Sequence, residues 1–127
     1  MNLVYFSETE LRCKCGCGQV KMNSSFLEKL IALREQLGFP FIITSAYRCP
    51  KHNQQASSTG IDGPHTTGRA IDIAVSGEKA YKLIQAAPAF NMTGIGVKQA
   101  GPHASRFIHL DDLQSKDGFP RPWVWGY

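Results

Sequence analysis

Three polar residues stand where a chain built only to fold would rarely place them. His65 lies in a turn-rich loop, and Asp72 and His109 each interrupt an apolar stretch. Two imidazoles and one carboxylate around an open fourth position are the ligands that a catalytic zinc ion needs, with a water in that position. From the spacing alone, purely structural roles for these residues remain an alternative. A strand histidine is often only hydrogen-bonded in a core, and Asp72 could cap a turn.

Two strands would position the carboxylate and one of the imidazoles. Residues 69–75 alternate so that large apolar side chains occupy one face and Asp72 the other. Residues 106–111 alternate in the same way, with His109 and Asp111 on one face. If both strands lie in one sheet, Asp72 and His109 project from the same side of it.

The loop that precedes the first strand carries the second imidazole. Asp72 follows His65 by seven residues, which is enough chain for a turn at Gly68 and half a short strand. His65 can therefore reach Asp72. A helical H-E-x-x-H motif would be a stronger zinc signal, and the sequence does not contain one.

The remaining elements indicate an α+β fold. A capping-box pattern, Ser25 with Glu28, opens a helix at 24–38 that ends at Gly38. The other predictions are a strand at 41–47, a helix from Pro50, a helix at 78–87, a Gly-punctuated segment at 94–97 and an aromatic tail at 120–127 that packs against the body. No linker or repeat divides the chain, so we predict one domain, 1–127.

Composition excludes several classes of protein. The chain has 127 residues, a net charge of +4, 43% hydrophobic and 19% charged residues, which is globular composition. No apolar run approaches the ~18 residues of a membrane span. The 14 Lys and Arg residues are scattered, so we expect no nucleic-acid partner; the charge is either an ordinary soluble surface or a weak attraction to a polyanionic matrix such as a bacterial cell wall.

Three ordered blocks resemble a known family. The segments at 45–48 (SAYR), 65–73 (HTTGRAIDI) and 107–111 (FIHLD) are similar to blocks of the zinc D-Ala-D-Ala carboxypeptidase-like peptidoglycan peptidases. Residues 6–18 and 121–127 also resemble small single-domain members, so the resemblance covers nearly the whole chain. It implies a small antiparallel sheet with helices packed on one side, the fold shared with the signalling domain of Hedgehog proteins.

The same resemblance implies roles for single residues. His65, Asp72 and His109 match the zinc ligands, so Zn²⁺ is the expected cofactor. Arg48 matches an arginine that binds a substrate carbonyl or carboxylate oxygen, which suits the fixed charge and forked donors of guanidinium. The alternative for Arg48 is a structural role between a helix and the sheet.

The catalytic base is open. Some relatives have a Glu two or three residues before the last ligand, where this chain has Phe107 and Arg106. His103, six residues upstream of the ligand, could accept the proton or stabilise the oxyanion. Asp111 is the competing base, or else orients the ligating imidazole. Asp112 should face away, at the solvent or in a structural role.

The resemblance favours a metallopeptidase, a hydrolase that cleaves peptidoglycan stem peptides with a zinc-activated water. We expect a monomeric endopeptidase of the endolysin type, cutting at L-Ala-D-Glu or at a cross-link, because the chain is compact and shows neither a signal peptide nor a wall-binding domain. It would be made in the cytoplasm, reach the cell wall or periplasm by holin-type release, and not insert into the membrane. The alternatives are a D-Ala-D-Ala carboxypeptidase and a non-catalytic wall-binding module.

The four cysteines allow three interpretations. Cys13, Cys15 and Cys17 could form a second, structural zinc site with Cys49, although their C-x-C-x-C spacing is not that of zinc ribbons. Cys49 could instead form a disulfide with one of the three, if the protein works outside the cytoplasm. The third interpretation is reduced thiols packed in the fold. His52 has no assigned role.

Overall fold

The computed structural model describes residues 4–127. Its α-helices are α1 (Glu8–Leu11), α2 (Ser24–Leu37), α3 (Pro50–Ala56) and α4 (Gly77–Ala86). Its strands are β1 (Ile42–Ser45), β2 (Ala70–Ala74), β3 (Gly94–Lys98), β4 (Phe107–Asp111) and β5 (Trp123–Gly126). Short 3₁₀ turns lie at Pro64–Thr67, Ala87–Phe90, His103–Ser105 and Ser115–Asp117.

One five-stranded sheet with the order β1-β2-β4-β3-β5 organises the described chain. The pairs β1–β2, β2–β4 and β3–β4 are antiparallel, and β5 runs parallel to β3. The α+β prediction is confirmed, and the sheet is antiparallel except at the β5 edge. The aromatic tail does pack against the body, as the outer strand β5, and the Gly-punctuated segment is the inner strand β3.

The helix caps differ in one place from the sequence prediction. The side chain of Asn23 caps α2 by accepting a hydrogen bond from the Phe26 N–H, so the box predicted at Ser25 and Glu28 is wrong. Asn23 is the N-cap because the helix begins at Ser24, so Ser25 already lies inside its first turn. A capping box does occur at Ser7 and Glu10, where it opens the short helix α1, which the sequence analysis missed.

The two faces of the sheet have opposite character. Ile71 and Ile73 of β2 and Ile108 and Leu110 of β4 belong to the apolar core, which they share with α2 and α4. The alternate side chains of these strands emerge on the other face, and they include the polar groups Asp72, His109 and Asp111. Since Asp72 lies directly opposite His109 in the β2–β4 register, the central strands place these two groups side by side. None of the helices within residues 4–127 is long and apolar enough to cross a membrane.

Candidate active site

His65, Asp72 and His109 meet on the polar face of the sheet. Oδ1 of Asp72 lies 3.2 Å from Nε2 of His65 and 3.1 Å from Nδ1 of His109. All three residues are buried, and their ligand atoms lie within 4.8 Å of one another. The structure therefore brings together the three residues that the sequence analysis selected.

A tight turn delivers His65 to the cluster. His65 lies in the 3₁₀ turn Pro64–Thr67, which ends at Gly68 with a φ of +75°. A Cβ at Gly68 would collide with the carbonyl oxygen of Lys21, so the close approach as well as the dihedral requires glycine. The turn is further tied to the strand side of the site by the Arg48 N–H, which donates to the His65 carbonyl at 3.0 Å.

The outer nitrogen of each imidazole has an acceptor that fixes its proton. Nδ1–H of His65 donates to the carbonyl oxygen of Ala46 at 2.7 Å. Nε2–H of His109 donates to Oδ2 of Asp111 at 2.8 Å. These partners leave Nε2 of His65 and Nδ1 of His109 facing Asp72, and these are the two nitrogens that would supply lone pairs to a metal ion.

The donor set fits a tetrahedral zinc ion. Nitrogen and oxygen ligands lie about 2.0–2.1 Å from zinc, so neighbouring corners of the tetrahedron are about 3.3 Å apart. The two closest separations, 3.1 and 3.2 Å, are close to that edge length. Two neutral imidazoles and one carboxylate leave one corner open.

The charge of the cluster is set by its neighbours. Burial on its own would raise the pKa of the Asp72 carboxyl, but hydrogen bonds from His109 and His65 hold that pKa well below its usual range. Nη2 of Arg48 adds a positive charge 3.9 Å from Oδ2 of Asp72. Asp72 is therefore a carboxylate, as a metal ligand must be.

Asp111 supports His109 from behind. It is fully buried, and Arg121 grips it with two hydrogen bonds, Nε to Oδ1 at 2.9 Å and Nη2 to Oδ2 at 2.8 Å. Burial raises the pKa of Asp111, while His109 and Arg121 lower it to about 2. Gly94 on β3 leaves the carboxylate its space, since a Cβ there would collide with it. Both oxygens of Asp111 are thus engaged, and the group holds His109 in orientation.

The cluster opens into a cleft of about 580 Å³. Arg48 lines this cleft, and its Nη1 donates to Oδ1 of the buried Asn53 at 3.3 Å, which fixes the guanidinium. Sequence reasoning missed Lys98, Trp125 and Tyr127, which also line the cleft.

Three of the residues that sequence reasoning missed, Arg121, Trp125 and Tyr127, lie in one segment, whose only signal in the sequence is its family resemblance. The ring of Trp125 lies 5.0 Å from that of His109, centroid to centroid. Both Trp125 and Arg121 belong to the 121–127 ending, the segment noted for its family resemblance without any role for its members. Their contacts arise from β5 pairing with β3, which no local pattern reveals.

Two other predicted residues lie away from the cluster. His103 is exposed in the turn His103–Ser105, with Nδ1 3.2 Å from the hydroxyl of Ser76, and the described lining of the cleft does not include it. Asp112 is buried in ion pairs with Lys29, at 2.8 Å, and with Arg69, at 2.6 Å. Its structural role is confirmed, and its placement at the solvent is wrong.

An α+β sheet that presents two imidazoles and a carboxylate at an open cleft has the make-up of a metallohydrolase site. The family model Peptidase M15 matches residues 4–111. The chain therefore belongs to the Peptidase M15 family, the zinc D-Ala-D-Ala carboxypeptidase family, and is a zinc peptidase domain, which confirms the resemblance. A comparison with curated proteins finds no match.

Proposed function

We propose that this protein is a zinc-dependent endopeptidase of the endolysin type that cleaves the stem peptides of peptidoglycan. The observation that carries the proposal is the convergence of His65, Asp72 and His109 at a cleft that also contains Arg48. The site of action that we propose is the cell wall, reached after release from the cytoplasm by a holin-type route.

A zinc ion bound by the three residues would polarise the scissile carbonyl and lower the pKa of a water at the open corner. Groups of the protein orient the ligands around that position. Ala46 and Asp111 hold protons on the outer nitrogens of His65 and His109, so that the inner lone pairs stay available. Arg121 keeps Asp111 charged and fixed in place.

Arg48 and Lys98 make the cleft selective for negative oxygen. Both cations line the cleft. The hydrogen bond to Asn53 holds the Arg48 guanidinium with its Nη2 3.9 Å from Oδ2 of Asp72. A guanidinium in that position can bind the carbonyl oxygen as it gains charge, or a carboxylate of the substrate. Stem peptides carry several carboxylates, which supports them as substrates. A terminal carboxylate would suit the same cations, so D-Ala-D-Ala carboxypeptidase activity is the second candidate.

Digestion of purified sacculi tests the proposal. We expect the protein to release soluble peptides whose masses show an internal cut, and a chelator to stop the release. Loss of a terminal D-Ala alone would establish the carboxypeptidase instead, and binding without release would establish a wall-binding module.

The matched variants are Asp72→Ala, which removes a ligand, and Asp62→Ala, which changes an exposed aspartate of the loop before His65. Only Asp72→Ala should abolish release. If both variants remain fully active, the assigned cluster is not the active site.

A further inference from the structure

The four cysteines form a second cluster outside the cleft. Cys13 and Cys49 are buried and Cys15 and Cys17 are exposed, yet all four sulfur atoms lie within 4.8 Å of one another. None of the four cysteines lines the cleft described above. Cys13, Cys15 and Cys17 come from the loop after α1, and Cys49 is the residue that caps α3, so the cluster joins two segments far apart in the chain.

The sulfur separations distinguish between the interpretations that the sequence left open. The Sγ atoms of Cys13, Cys15 and Cys49 are 3.5, 3.6 and 3.7 Å apart. A disulfide has its sulfurs at about 2.05 Å, so these pairs are not bonded. Thiolates about 2.3 Å from a tetrahedral zinc ion are about 3.8 Å apart along each edge. Three sulfurs thus already form one near-regular face of such a tetrahedron.

N–H groups around the sulfurs are arranged to stabilise negative charge on them. The Cys49 N–H donates to Sγ of Cys13 at 3.3 Å, and the His52 N–H donates to Sγ of Cys49 at 3.4 Å. Nδ1 of His52 lies 3.3 Å from Sγ of Cys13 and can donate to it as well. Backbone and imidazole donors to sulfur are the outer contacts expected of metal-bound thiolates. The bond to Cys49 is also the N-terminal cap of α3, so the two contacts to Cys13 are the ones that a helix cap does not require.

We propose that Cys13, Cys15, Cys17 and Cys49 bind a structural zinc ion that fastens the loop after α1 to the start of α3. Four thiolates fill the coordination sphere, so this site has no open corner and does no chemistry. Its effect is mechanical. Cys49 follows Arg48 directly and caps α3 with its own sulfur, so a metal at Cys49 also fixes the backbone that presents Arg48 to the cleft.

Metal analysis of the reduced full-length protein is the first test. We expect two zinc ions per chain in the wild type, one in Cys13→Ser/Cys49→Ser, and one in His65→Ala/Asp72→Ala. The two proposals can fail separately. If only the cysteine variant has less zinc than the wild type, the peptidase site binds no zinc and the proposed function fails. If only the His65→Ala/Asp72→Ala variant has less zinc, the cysteines bind none and the structural site is overturned. A mass of the protein as purified, before any reductant is added, that is lower by one or two pairs of hydrogens would mark disulfides and would also overturn it, and so would iron in place of zinc.

Cobalt substitution makes the test independent of whether the cysteine variant folds. In Asp72→Ala, which keeps every cysteine, bound Co²⁺ should show the intense near-ultraviolet sulfur-to-metal absorption of a thiolate site. Its absence would overturn the proposal. His52→Ala and Lys51→Ala are the matched controls at neighbouring positions, and both should keep the absorption. A zinc ion lost from His52→Ala would show that the imidazole, not the fourth thiolate, is a ligand, and would overturn the four-cysteine assignment.

Discussion

The sheet-borne cluster of His65, Asp72 and His109 and the loop-borne cluster of four cysteines differ in both donors and support. The first takes two of its three groups from the paired strands β2 and β4, and faces a cleft. The second consists of sulfurs on a loop and a helix cap. Three nitrogen and oxygen ligands, two on strands and one on a turn, would leave a fourth position on a zinc ion for water or substrate, whereas the four sulfurs, on a loop and a helix cap, would fill all four positions. Under the two proposals above, catalysis and structural support are assigned to separate clusters of the same fold.

The largest expected effect is loss of all activity when a ligand of the sheet-borne cluster is removed. His109→Ala takes away one donor and leaves the buried Asp72 and Asp111 carboxylates without their shared partner. We expect no detectable peptide release and one fewer zinc ion. The far-ultraviolet circular dichroism should remain native, and cobalt absorption from the cysteine cluster should persist. If His109→Ala keeps its activity, the assignment of catalysis to the sheet-borne cluster is wrong.

Arg48→Ala should cost about 10²–10³-fold in kcat, because it removes a fixed positive charge from the developing oxyanion. The zinc content should stay at the wild-type value, since Arg48 is not one of the proposed metal ligands. Arg48→Lys is the control, and should recover only part of the rate because an ammonium cannot bind bidentately. A change confined to KM would instead assign Arg48 to binding of a distant part of the substrate.

Asp111→Asn should weaken zinc binding at the sheet-borne cluster by about 10–100-fold, because the amide is a poorer acceptor for the His109 Nε2–H. Competition with a chromogenic chelator measures this affinity. Asp112→Asn is the matched control on the opposite face, where the carboxylate pairs with Lys29 and Arg69 and touches neither cluster. Equal loss of affinity in both variants would show a general loss of stability rather than a positioning role for Asp111.

The hydrogen bonds of Asp111 with His109 and Arg121 also predict a pH dependence of stability. The pKa of Asp111 is lowered to about 2 in the folded protein, from an unfolded value of about 3.9. Its stabilisation is therefore present above about pH 4 and is lost as the pH falls towards 2, with a total of about 2–3 kcal/mol. In metal-free protein, the free energy of unfolding of the wild type should approach that of Asp111→Asn over this range. A constant difference between them would contradict the pairing.

His103→Ala should have the smallest effect. His103 is exposed, contacts Ser76 and lies outside the described lining of the cleft, so we expect less than about a tenfold loss of kcat. The pH profile of kcat/KM should keep both of its limbs. A loss of about 100-fold or more, together with a missing acidic limb, would restore His103 as the proton acceptor.

Much of the sheet-borne cluster could be predicted because its signals are local. Alternation within 69–75 and 106–111 set the face on which Asp72 and His109 lie, and the loop to His65 was short enough to limit its reach. The helices at 24–38 and 78–87 were found within one residue at each end for the same reason. The box at Ser25 failed because one turn of sequence offered three possible caps.

Other parts could not be predicted because their partners are far apart in the chain. Arg121 reaches Asp111 only when β5 lies beside β3, and the cysteine cluster exists only when the loop after α1 meets the start of α3. Neither contact leaves a periodic trace in the sequence.

By itself, the sequence determined which residues have metal-binding chemistry and on which face of a strand each stands, since side-chain alternation is a property of the backbone. Only the tertiary structure decided which nitrogen of each histidine faces Asp72, that Asp111 lies between His109 and Arg121, and that the four cysteine sulfurs lie together. These depend on distances of 2.8 to 3.7 Å between groups brought together by packing.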